Sequence, residues 1–429
     1  MYNELLLGEK MINIIYITLF VLGLPFLIFS AYYWILSCFG FKKVITYPNI
    51  QPKHRFAALI AARNEEQVIG SLIDTLKNQN YPSHLIDIYV IPNNCTDATE
   101  AVAKVHGAKI FTCKSPVSSK GGALEQYFDY ALENSCDYDA FCIFDADNLV
   151  DPNFFSAMNN ALESGVALAQ GCRNSKNPKD SWISGSHSIY YWALNRFLNR
   201  SKTTIALSAA INGTGFMVTP SILKEYGFST FSLTEDIEFT TQSILNGYVV
   251  AWVPEAITYD EHPEQFNISW KQRRRWSSGT VQCFNHYGPI LWKKFKESKN
   301  MLYFDMLIYL GTPLGQVLST IYSICTLVIM CHISINSQAI STPLIFTLLS
   351  VVLGIVLSVI VSMIVVKIEG HKIRQVNFNA YLYFWLFLTS WAVINFLCLV
   401  NPISTWEPIE HKKSLQLSDI QSNHQNKSK

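Results

Sequence analysis

The sequence is poor in charged residues. Only 15% of its 429 residues are charged, against about 25% in a typical soluble protein, and the formal net charge is +1. Nucleic-acid-binding proteins usually carry a clear excess of basic side chains, so this balance gives no reason to expect nucleic acid as a partner. The deficit of charge excludes a wholly soluble enzyme and a simple secreted domain.

Several local patterns are also missing. The ten cysteines include no Cys-x-x-Cys pair, so the sequence signals neither a disulfide framework nor a zinc site. No Gly-x-Gly-x-x-Gly or Walker-type loop follows a predicted strand. A glycine cradle for phosphates is therefore not expected.

Charge is absent above all from long apolar segments at both ends of the chain. A spanning helix needs roughly 20 apolar residues. The sequence predicts a transmembrane anchor at 11–40 and a bundle of about three spans over 302–400. The first apolar run is too long and its start too acidic for a cleaved signal peptide, so we expect a retained anchor. The segment 302–333 is overlong, and its start is expected to be an interfacial helix.

The remaining segments are a charged domain at 42–299 and a polar tail at 401–429. Basic residues mark the cytoplasmic side of a membrane. They follow the first span and the third span: Lys42, Lys43, Lys53, Arg55, Lys367, Lys372 and Arg374. The charged domain is therefore predicted to be cytoplasmic. Basic residues in the tail conflict with a fourth span, so the number of spans and the side of the tail stay open.

The charged domain alternates between apolar runs and amphipathic segments. Strands are predicted at 55–62, 86–91, 109–112 and 140–144, and helices at 66–79, 97–105, 120–133 and 153–164. This order predicts an α/β fold with a parallel, doubly wound sheet. Ligands of such sheets bind beyond the carboxyl ends of the strands. Polar clusters follow three of the predicted strands, at 63–66, 93–97 and 145–147.

Three polar motifs have alternative interpretations when each is taken alone. Asp145-Ala146-Asp147 suits a hard ion such as Mg²⁺ or Mn²⁺ with substrate phosphates, but taken alone it is more typical of a solvated acidic turn. Thr234-Glu235-Asp236 is also a plain helix N-cap pattern. The segment 272–276, Gln-Arg-Arg-Arg-Trp, suits a basic patch on anionic lipid as well as a phosphate or sugar site.

Along the chain the motifs occur in the order D-x-D, T-E-D and Q-x-x-R-W, followed by membrane spans. In this order they resemble the motifs of membrane-embedded glycosyltransferase family 2 polysaccharide synthases. These include cellulose, chitin, hyaluronan and poly-N-acetylglucosamine synthases. The resemblance covers about residues 55–400. It implies a GT-A type doubly wound sheet domain with flanking transmembrane helices. It also implies a hexosyltransferase in a bacterial cell membrane.

The resemblance assigns a role to individual residues. Asp236 matches the general base, with Glu235 beside it, and Asp145 and Asp147 match the pair that holds Mg²⁺ or Mn²⁺ on the diphosphate. The other matched positions bind the donor, at Glu65, Asn93, Lys120, Asp145, Gln272 and Arg275, or the acceptor, at Trp276, Gly213, Thr214 and Gly215. Many relatives have an acidic pair where this chain has Asn93-Asn94. An amide can both donate to and accept from uracil.

The chemistry of glycosyl transfer agrees with these assignments. A metal and a guanidinium stabilise a diphosphate leaving group, and one carboxylate deprotonates the acceptor hydroxyl. A single displacement inverts the anomeric centre and needs no second, opposed carboxyl group. The face of an aromatic ring gives apolar contact to a sugar, which suits Trp276.

The leading hypothesis is an inverting, processive β-glycosyltransferase that extends an extracellular polysaccharide from UDP-N-acetylglucosamine or UDP-glucose. Its partners would be the nucleotide sugar, the growing glycan and membrane lipid, with an accessory subunit as a further candidate. One alternative is a non-processive enzyme that adds one sugar to a lipid-linked acceptor. A less favoured alternative is a transporter with a nucleotide-binding domain, because the downstream spans form no paired repeat. The tail motif at 406–411 resembles a segment of some bacterial relatives, or else is an interfacial tryptophan anchor.

Overall fold

A mixed eight-stranded sheet forms the centre of the charged domain. The computed structural model describes residues 2–117, 119–336, 342–403 and 417, so the tail motif at 406–411 lies outside the described residues. The strands run in the spatial order β3-β2-β1-β4-β7-β6-β8-β5. Their bounds are β1 Phe56–Ala62, β2 Ile86–Pro92, β3 Lys109–Ile110, β4 Ala140–Asp145, β5 Leu149–Val150, β6 Leu168–Ser175, β7 Phe216–Val218 and β8 Ala251–Asp260.

The first half of the sheet is parallel, as the alternation of strands and helices predicts. β1 lies between β2 and β4, and β2 also pairs with β3 in parallel. The second half is different, because β7 runs antiparallel to both β4 and β6, and β5 runs antiparallel to β8. The predicted α/β class with a GT-A type sheet is confirmed, but an all-parallel sheet is wrong. Strands β6 and β8 escaped prediction because polar side chains interrupt their apolar pattern.

Helices cover both faces of the sheet and continue into the apolar ends of the chain. Their bounds are α1 Tyr2–Cys38, α2 Ile69–Lys77, α3 Thr99–Val105, α4 Lys120–Glu133, α5 Phe154–Glu163, α6 Trp182–Leu194, α7 Ser201–Thr204, α8 Pro220–Tyr226, α9 Glu235–Leu245, α10 Phe266–Ser298, α11 Met301–Leu310, α12 Thr312–Asn336, α13 Thr342–Ile368 and α14 Phe378–Val400. A π-helical turn links α6 to α7, and short 3₁₀ turns lie at Phe39–Phe41, Ser83–Leu85 and Ile373–Gln375.

Two apolar layers enclose the sheet. One layer packs α2, α3 and α5 against one face, around side chains such as Leu72 and Phe154. The other packs α4, α8 and α9 against the opposite face, around Tyr127 and Phe239. All four of these side chains are fully buried. Because both faces are covered, the polar residues of the domain gather at the carboxyl edge of the parallel strands.

Four helices in the described residues are long and apolar enough to cross a membrane. They are Asn13–Phe41, Thr312–Ile335, Leu344–Ile368 and Phe378–Val400. The overlong segment predicted at 302–333 is divided at Gly311 into α11 and α12, so its first ten residues form a separate short helix. The side chains of the four helices are largely exposed in the isolated chain, as expected of surfaces that face lipid.

Helix α10 connects the sheet domain to the membrane helices. It has 33 residues, which corresponds to a length of about 50 Å. Arg273, in its second turn, is fully buried and donates hydrogen bonds to the Phe387 carbonyl at 3.1 Å and to Ser390 Oγ at 2.7 Å, both in α14. Ser277, one turn later, donates to Asn395 Oδ1 at 2.5 Å.

Candidate active site

The loops after β1, β2 and β4 lie side by side at one edge of the sheet. Because these strands are parallel neighbours, their carboxyl ends bring together residues 63–66, 93–97 and 145–147. Asn64 Oδ1 accepts a hydrogen bond from the Thr96 backbone N–H at 2.8 Å, and the Glu65 N–H donates to Thr99 Oγ1 at 2.8 Å. These bonds hold the predicted donor-binding residues Glu65 and Asn93 on adjacent loops.

Lys120 and Asp145 form the centre of the site. Lys120 is the first residue of α4, and Ser119 caps that helix by accepting from the Gly122 N–H at 3.1 Å. The Lys120 ammonium donates to Asp145 Oδ1 and to the Gly213 carbonyl, both at 2.5 Å. Burial raises the pKa of Asp145, but the charges of Lys120, Arg173 and Arg275 outweigh it and hold that pKa below its usual value.

The Gly213-Thr214-Gly215 loop has two roles that the sequence does not separate. Gly213 adopts φ +83°, and a Cβ there would lie 3.4 Å from Asp236 Oδ2, so this residue lies beside the site. Thr214 is fully buried, and its Oγ1 accepts from the Asp145 N–H at 3.0 Å. A Cβ on Gly215 would lie 2.8 Å from Thr258 Cγ2. In this chain Thr214 therefore orients the Asp145 backbone, and only Gly213 borders the carboxylates.

Glu235 and Asp236 enter the site at the first turn of α9. Glu235 Oε1 lies 3.8 Å from the Lys120 ammonium. Burial raises the pKa of Asp236 to about 7, and the neighbouring charge of Glu235 adds to the increase, while Lys120 and Arg275 oppose it. A carboxyl group with a pKa near 7 can accept a proton at neutral pH and release it again.

Two glycines let the neighbouring helices approach the Thr234-Glu235-Asp236 turn closely. A Cβ on Gly121 of α4 would lie 2.4 Å from Thr230 Oγ1, just before the turn. A Cβ on Gly279 of α10 would lie 2.4 Å from Thr234 Oγ1 and 2.7 Å from the Thr234 backbone nitrogen. The start of α4 and the part of α10 that follows the 272–276 motif therefore both pack closely against this turn and the loop before it.

The 272–276 motif lies on the same face of the site. Arg275 donates a hydrogen bond to the Leu233 carbonyl at 3.2 Å, and its charge reaches both Asp145 and Asp236. The Trp276 ring is partly exposed, and its centroid lies 6.4 Å from that of Trp391 in α14, with the two rings inclined by 19°. Gln272 Oε1 is buried and finds no hydrogen-bond partner among the described residues.

Comparison with known proteins assigns the fold and motifs to a family. Residues 52–279, more than half of the chain, match the family described as Glycosyltransferase like family 2. The chain belongs to this family. It is therefore a glycosyltransferase, and the membrane-spanning helices described above flank its family 2 domain.

Two bacterial relatives show how far the similarity extends. The chain is 26% identical over 343 residues to a probable glycosyltransferase, YdaM of Bacillus subtilis, a match that covers 75% of this chain and 80% of the relative. It is also 26% identical over 267 residues to the poly-β-1,6-N-acetyl-D-glucosamine synthase of Staphylococcus aureus. That match covers 59% of this chain and 63% of the synthase, so it spans less than two thirds of the synthase's length.

A solved structure confirms the fold of this family 2 glycosyltransferase. The mannosyltransferase PcManGT of Pyrobaculum calidifontis, solved in complex with GDP-mannose and Mn²⁺, superposes with a TM-score of 0.61 at 14% sequence identity. The superposition covers 90% of this chain and 97% of that one. The similarity therefore includes the apolar helices as well as the sheet domain.

The structure also brings residues to the glycosyltransferase site that sequence reasoning missed. Arg173 of β6 forms an ion pair with Asp260 of β8, and it donates to the Asn212 carbonyl at 2.5 Å. Burial raises the pKa of Asp260 to about 6, and the charges of Asp147 and Asp145 add to this, while Arg173 opposes it. β6 and β8 are parallel neighbours, with Arg173 opposite Thr258. Arg173 and Asp260 meet because β6 pairs with β8, and the local sequence pattern does not reveal this pairing.

His262 is a second residue that the motifs do not reveal. Its ring stacks on Tyr191, with centroids 5.3 Å apart, and on His187, 5.5 Å apart. Burial lowers the pKa of His262 to about 3, and the charge of Arg173 adds to this, so the ring is neutral. The short run Asp260-Glu261-His262 after an apolar segment is the signal that could have drawn attention to it.

Proposed function

We propose that this glycosyltransferase moves a sugar from a nucleotide diphosphate sugar, UDP-N-acetylglucosamine or UDP-glucose, to a growing extracellular polysaccharide. The single observation that carries the proposal is the joint position of a partly buried carboxyl group with a pKa of about 7, Asp236, and a cationic group, Lys120, that contacts Asp145. The carboxyl group is suited to act as a base, and the cationic group is suited to bind a diphosphate. The similarity to a bacterial poly-N-acetylglucosamine synthase supports this choice of donor.

In this mechanism Asp236 accepts the proton of the acceptor hydroxyl as that oxygen attacks the anomeric carbon. The carboxylate needs no partner on the opposite side of the sugar, because a diphosphate leaves without being protonated by an acid. A single displacement inverts the anomeric centre, so an α-linked donor gives a β-linked product. Glu235 keeps the pKa of Asp236 high, and thereby its basicity.

Lys120 and Arg275 neutralise the charge that develops on the departing diphosphate. Preorganised cations in a site with little water are worth more than the same cations in bulk water. Arg275 is held by the Leu233 carbonyl, next to the turn that carries the base. We assign Glu65, Asn93 and Gln272 to the donor and Trp276 and Gly213 to the acceptor. Asn93 Oδ1 and Gln272 Oε1 are buried and have no hydrogen-bond partner among the described residues. Both atoms are therefore suited to accept hydrogen bonds from the donor.

The carboxylates at the end of β4 fit a hard divalent cation. No group of three or more His, Cys, Asp or Glu side chains in the described part of the chain could hold a metal alone. Mg²⁺ and Mn²⁺ sites commonly combine one or two carboxylates with substrate phosphates. Burial is the main cause of the raised pKa of Asp260, and the charges of Asp147 and Asp145 raise it further, so carboxylate charge is concentrated at this edge of the sheet. Asp145 and Asp147 would hold Mg²⁺ or Mn²⁺, which would supply charge stabilisation to the diphosphate.

We further propose that the sheet domain, at 42–299, lies on the cytoplasmic side of the cell membrane and that the helices of 302–400 hold it there. The basic residues that follow the first and third spans support this orientation. Nucleotide sugars are made inside the cell, and a polar polymer cannot cross lipid unaided. The membrane helices beside the site would then provide its route, alone or with an accessory subunit.

The test is incorporation of radiolabelled sugar by membranes that contain the full chain. UDP-N-acetylglucosamine, UDP-glucose and UDP-glucuronate are supplied singly and in pairs, with Mg²⁺ or Mn²⁺ or with a chelator. We expect polymer from one UDP-sugar, loss of incorporation with chelator, and loss with Asp236→Asn. Equal incorporation by Asp236→Asn would exclude the assigned base.

Product length separates processive synthesis from the transfer of one sugar. The products are resolved on a gel after a short labelling time with excess acceptor. Long chains beside unused acceptor support processive synthesis. A single added sugar on every acceptor would replace the proposal with the non-processive alternative.

A further inference from the structure

A basic cavity lies apart from the glycosyltransferase site, where the sheet domain meets the last two membrane helices. Its volume is about 770 Å³. It lies between the end of α13, the 3₁₀ turn Ile373–Gln375, the start of α14 and the loop that follows β6. None of the assigned donor, acceptor or catalytic residues lines it.

Basic residues border the cavity, although most of its exposed surface is apolar. Four of its eight lining residues are basic, and none is acidic: Lys179, Lys367, Lys372 and Arg374 are the four. Glu369, the acidic residue of the α13–α14 connection, is engaged elsewhere in an ion pair with Arg196. The first turn of α14 contains no acidic residue, so the positive end of its helix dipole adds to the same potential. The lining therefore favours a phosphate-bearing anion.

The position of the cavity indicates where that anion comes from. Lys367 lies in the last turn of the apolar span Leu344–Ile368, and Phe378 is the first residue of the next span. Phe378 is 61% exposed and Tyr383 is 44% exposed, and both lie in the first two turns of α14. Exposed aromatic rings beside basic residues at the ends of spans are typical of the membrane interface. The cavity thus opens at the depth of lipid headgroups.

The apolar part of the lining also indicates a ligand from the membrane. Ile373 and Val376 belong to it, and Val376 packs in an apolar cluster with Val366 and Tyr381 of α13 and α14. A soluble phosphate ion has nothing to place against these side chains. The glycerol backbone and the first methylenes of a phospholipid do.

We propose that this cavity binds the headgroup of an anionic phospholipid from the leaflet next to the sheet domain. The headgroup phosphate contacts the basic residues, and the acyl chains extend along Phe378 and the exposed surface of α13. The bound lipid joins a loop of the sheet domain, through Lys179, to the α13–α14 connection. This proposal does not depend on the proposed sugar donor, because no residue is shared between the two sites.

The test is native mass spectrometry of the full chain, released from nanodiscs of phosphatidylcholine with or without phosphatidylglycerol of the same acyl chains. The test variant is Lys367→Gln/Lys372→Gln/Arg374→Gln. Its matched control is Lys293→Gln/Lys294→Gln/Lys296→Gln, which removes three exposed cations from α10. Lys367→Arg/Lys372→Arg keeps the charge of the cavity. Each lost cation is expected to weaken retention of phosphatidylglycerol about fivefold, from about 1 kcal/mol per basic residue.

The proposal requires that the wild type, the α10 control and the arginine variant retain phosphatidylglycerol in preference to phosphatidylcholine, and that the cavity variant does not. Thermal melting in phosphatidylcholine alone checks that all variants are folded. Equal retention by the cavity variant would overturn the assignment. Displacement of the lipid by millimolar inorganic phosphate would also overturn it, since the site would then bind a soluble anion.

Discussion

Two groups of charged residues in this molecule, one partly buried and one fully buried, behave differently. In the active site, Asp145, Glu235 and Asp236 share Lys120, and the pKa of Asp236 rises to about 7. At the junction with the membrane helices, Lys202 of α7 and Asp305 of α11 form a closed pair. Their atoms lie 2.8 Å apart, and both side chains are only 2% exposed.

The difference lies in how well each charge is matched. Asp305 accepts a further hydrogen bond from the Tyr32 hydroxyl of α1, and the Lys202 ammonium lies 4.9 Å from the centre of the Tyr309 ring. The junction therefore satisfies its charges and joins three parts of the chain. In the active site, burial and then the charge of Glu235 raise the pKa of Asp236 against the opposing charges of Lys120 and Arg275, and this makes the carboxyl group basic at neutral pH. The same chemical substitution in the two places should therefore have opposite effects.

Asp236→Asn should give the largest change in activity. We expect sugar transfer to fall by about 10²–10⁴-fold, the usual contribution of a general base. The melting temperature should stay the same or rise, because the substitution removes a carboxylate whose charged form is disfavoured in the folded protein. Initial rates and thermal melting of the purified chain measure the two effects. A large drop in melting temperature would make Asp236 a structural residue like Asp305.

Asp305→Asn should mainly reduce stability. Breaking a buried ion pair from one side typically costs about 3–5 kcal/mol, because the other charge remains buried. The expected signs are a lower yield of folded protein and a lower melting temperature in detergent, with the rate per folded molecule retained. The double variant Lys202→Met/Asp305→Leu is the control. It should recover most of the stability, since an apolar pair often replaces a buried ion pair without loss.

Gly279→Ala tests how closely α10 must approach the turn that carries the proposed base. The new methyl group would lie 2.4 Å from Thr234 Oγ1, so the helix or the turn has to move. We expect a loss of about 1–3 kcal/mol in stability, as for other overpacked sites, and a lower kcat. Gly354→Ala in α13 is the matched control, because a Cβ there meets nothing within 4 Å. Equal melting temperatures and rates for the two variants would contradict the close packing.

The pH dependence of the reaction should show the smallest of these effects. Asp236 must be deprotonated to act as a base, so kcat/KM should fall as the pH falls through about 7. Glu235→Gln removes a charge that raises this pKa, and the acidic limb should therefore move to lower pH. Stability should change in the opposite sense. The folded pKa exceeds the unfolded value of about 3.9, so stability is lost between that value and about pH 7 as the pH rises.

The sequence predicts those parts of the molecule that local patterns determine. Helix α4 has the predicted bounds because Ser119 supplies an N-cap and the apolar residues repeat at helical spacing. Strand β1 is a continuous apolar run, and β4 is apolar up to its last residue, Asp145. Strand β2 contains Asp87 but is otherwise apolar, and only two residues of the predicted third strand are strand. The order of D-x-D, T-E-D and Q-x-x-R-W could be related to a family because each motif is contiguous in the chain.

The remaining features depend on contacts between distant segments. β6 includes Gln170, Arg173 and Asn174, and this polar pattern hides a strand. The proximity of Arg173 to Asp260 depends on the pairing of β6 with β8, 87 residues apart along the chain at that contact. The burial of Thr214 likewise results from tertiary packing, whereas its motif suggests only a small-residue loop. Physical reasoning on local sequence cannot supply these contacts.

Helix α10 has a practical consequence for dissecting the enzyme. Charge density places a boundary near residue 299, yet the guanidinium of Arg273 finds its acceptors in α14, about a hundred residues further along the chain. A fragment cut at that boundary would leave the buried guanidinium of Arg273 without those acceptors. It would also remove α14, against which the 272–276 motif packs. The catalytic machinery and the membrane helices are therefore not interchangeable modules. Chimeras that exchange one of them need to exchange α10 and α14 together.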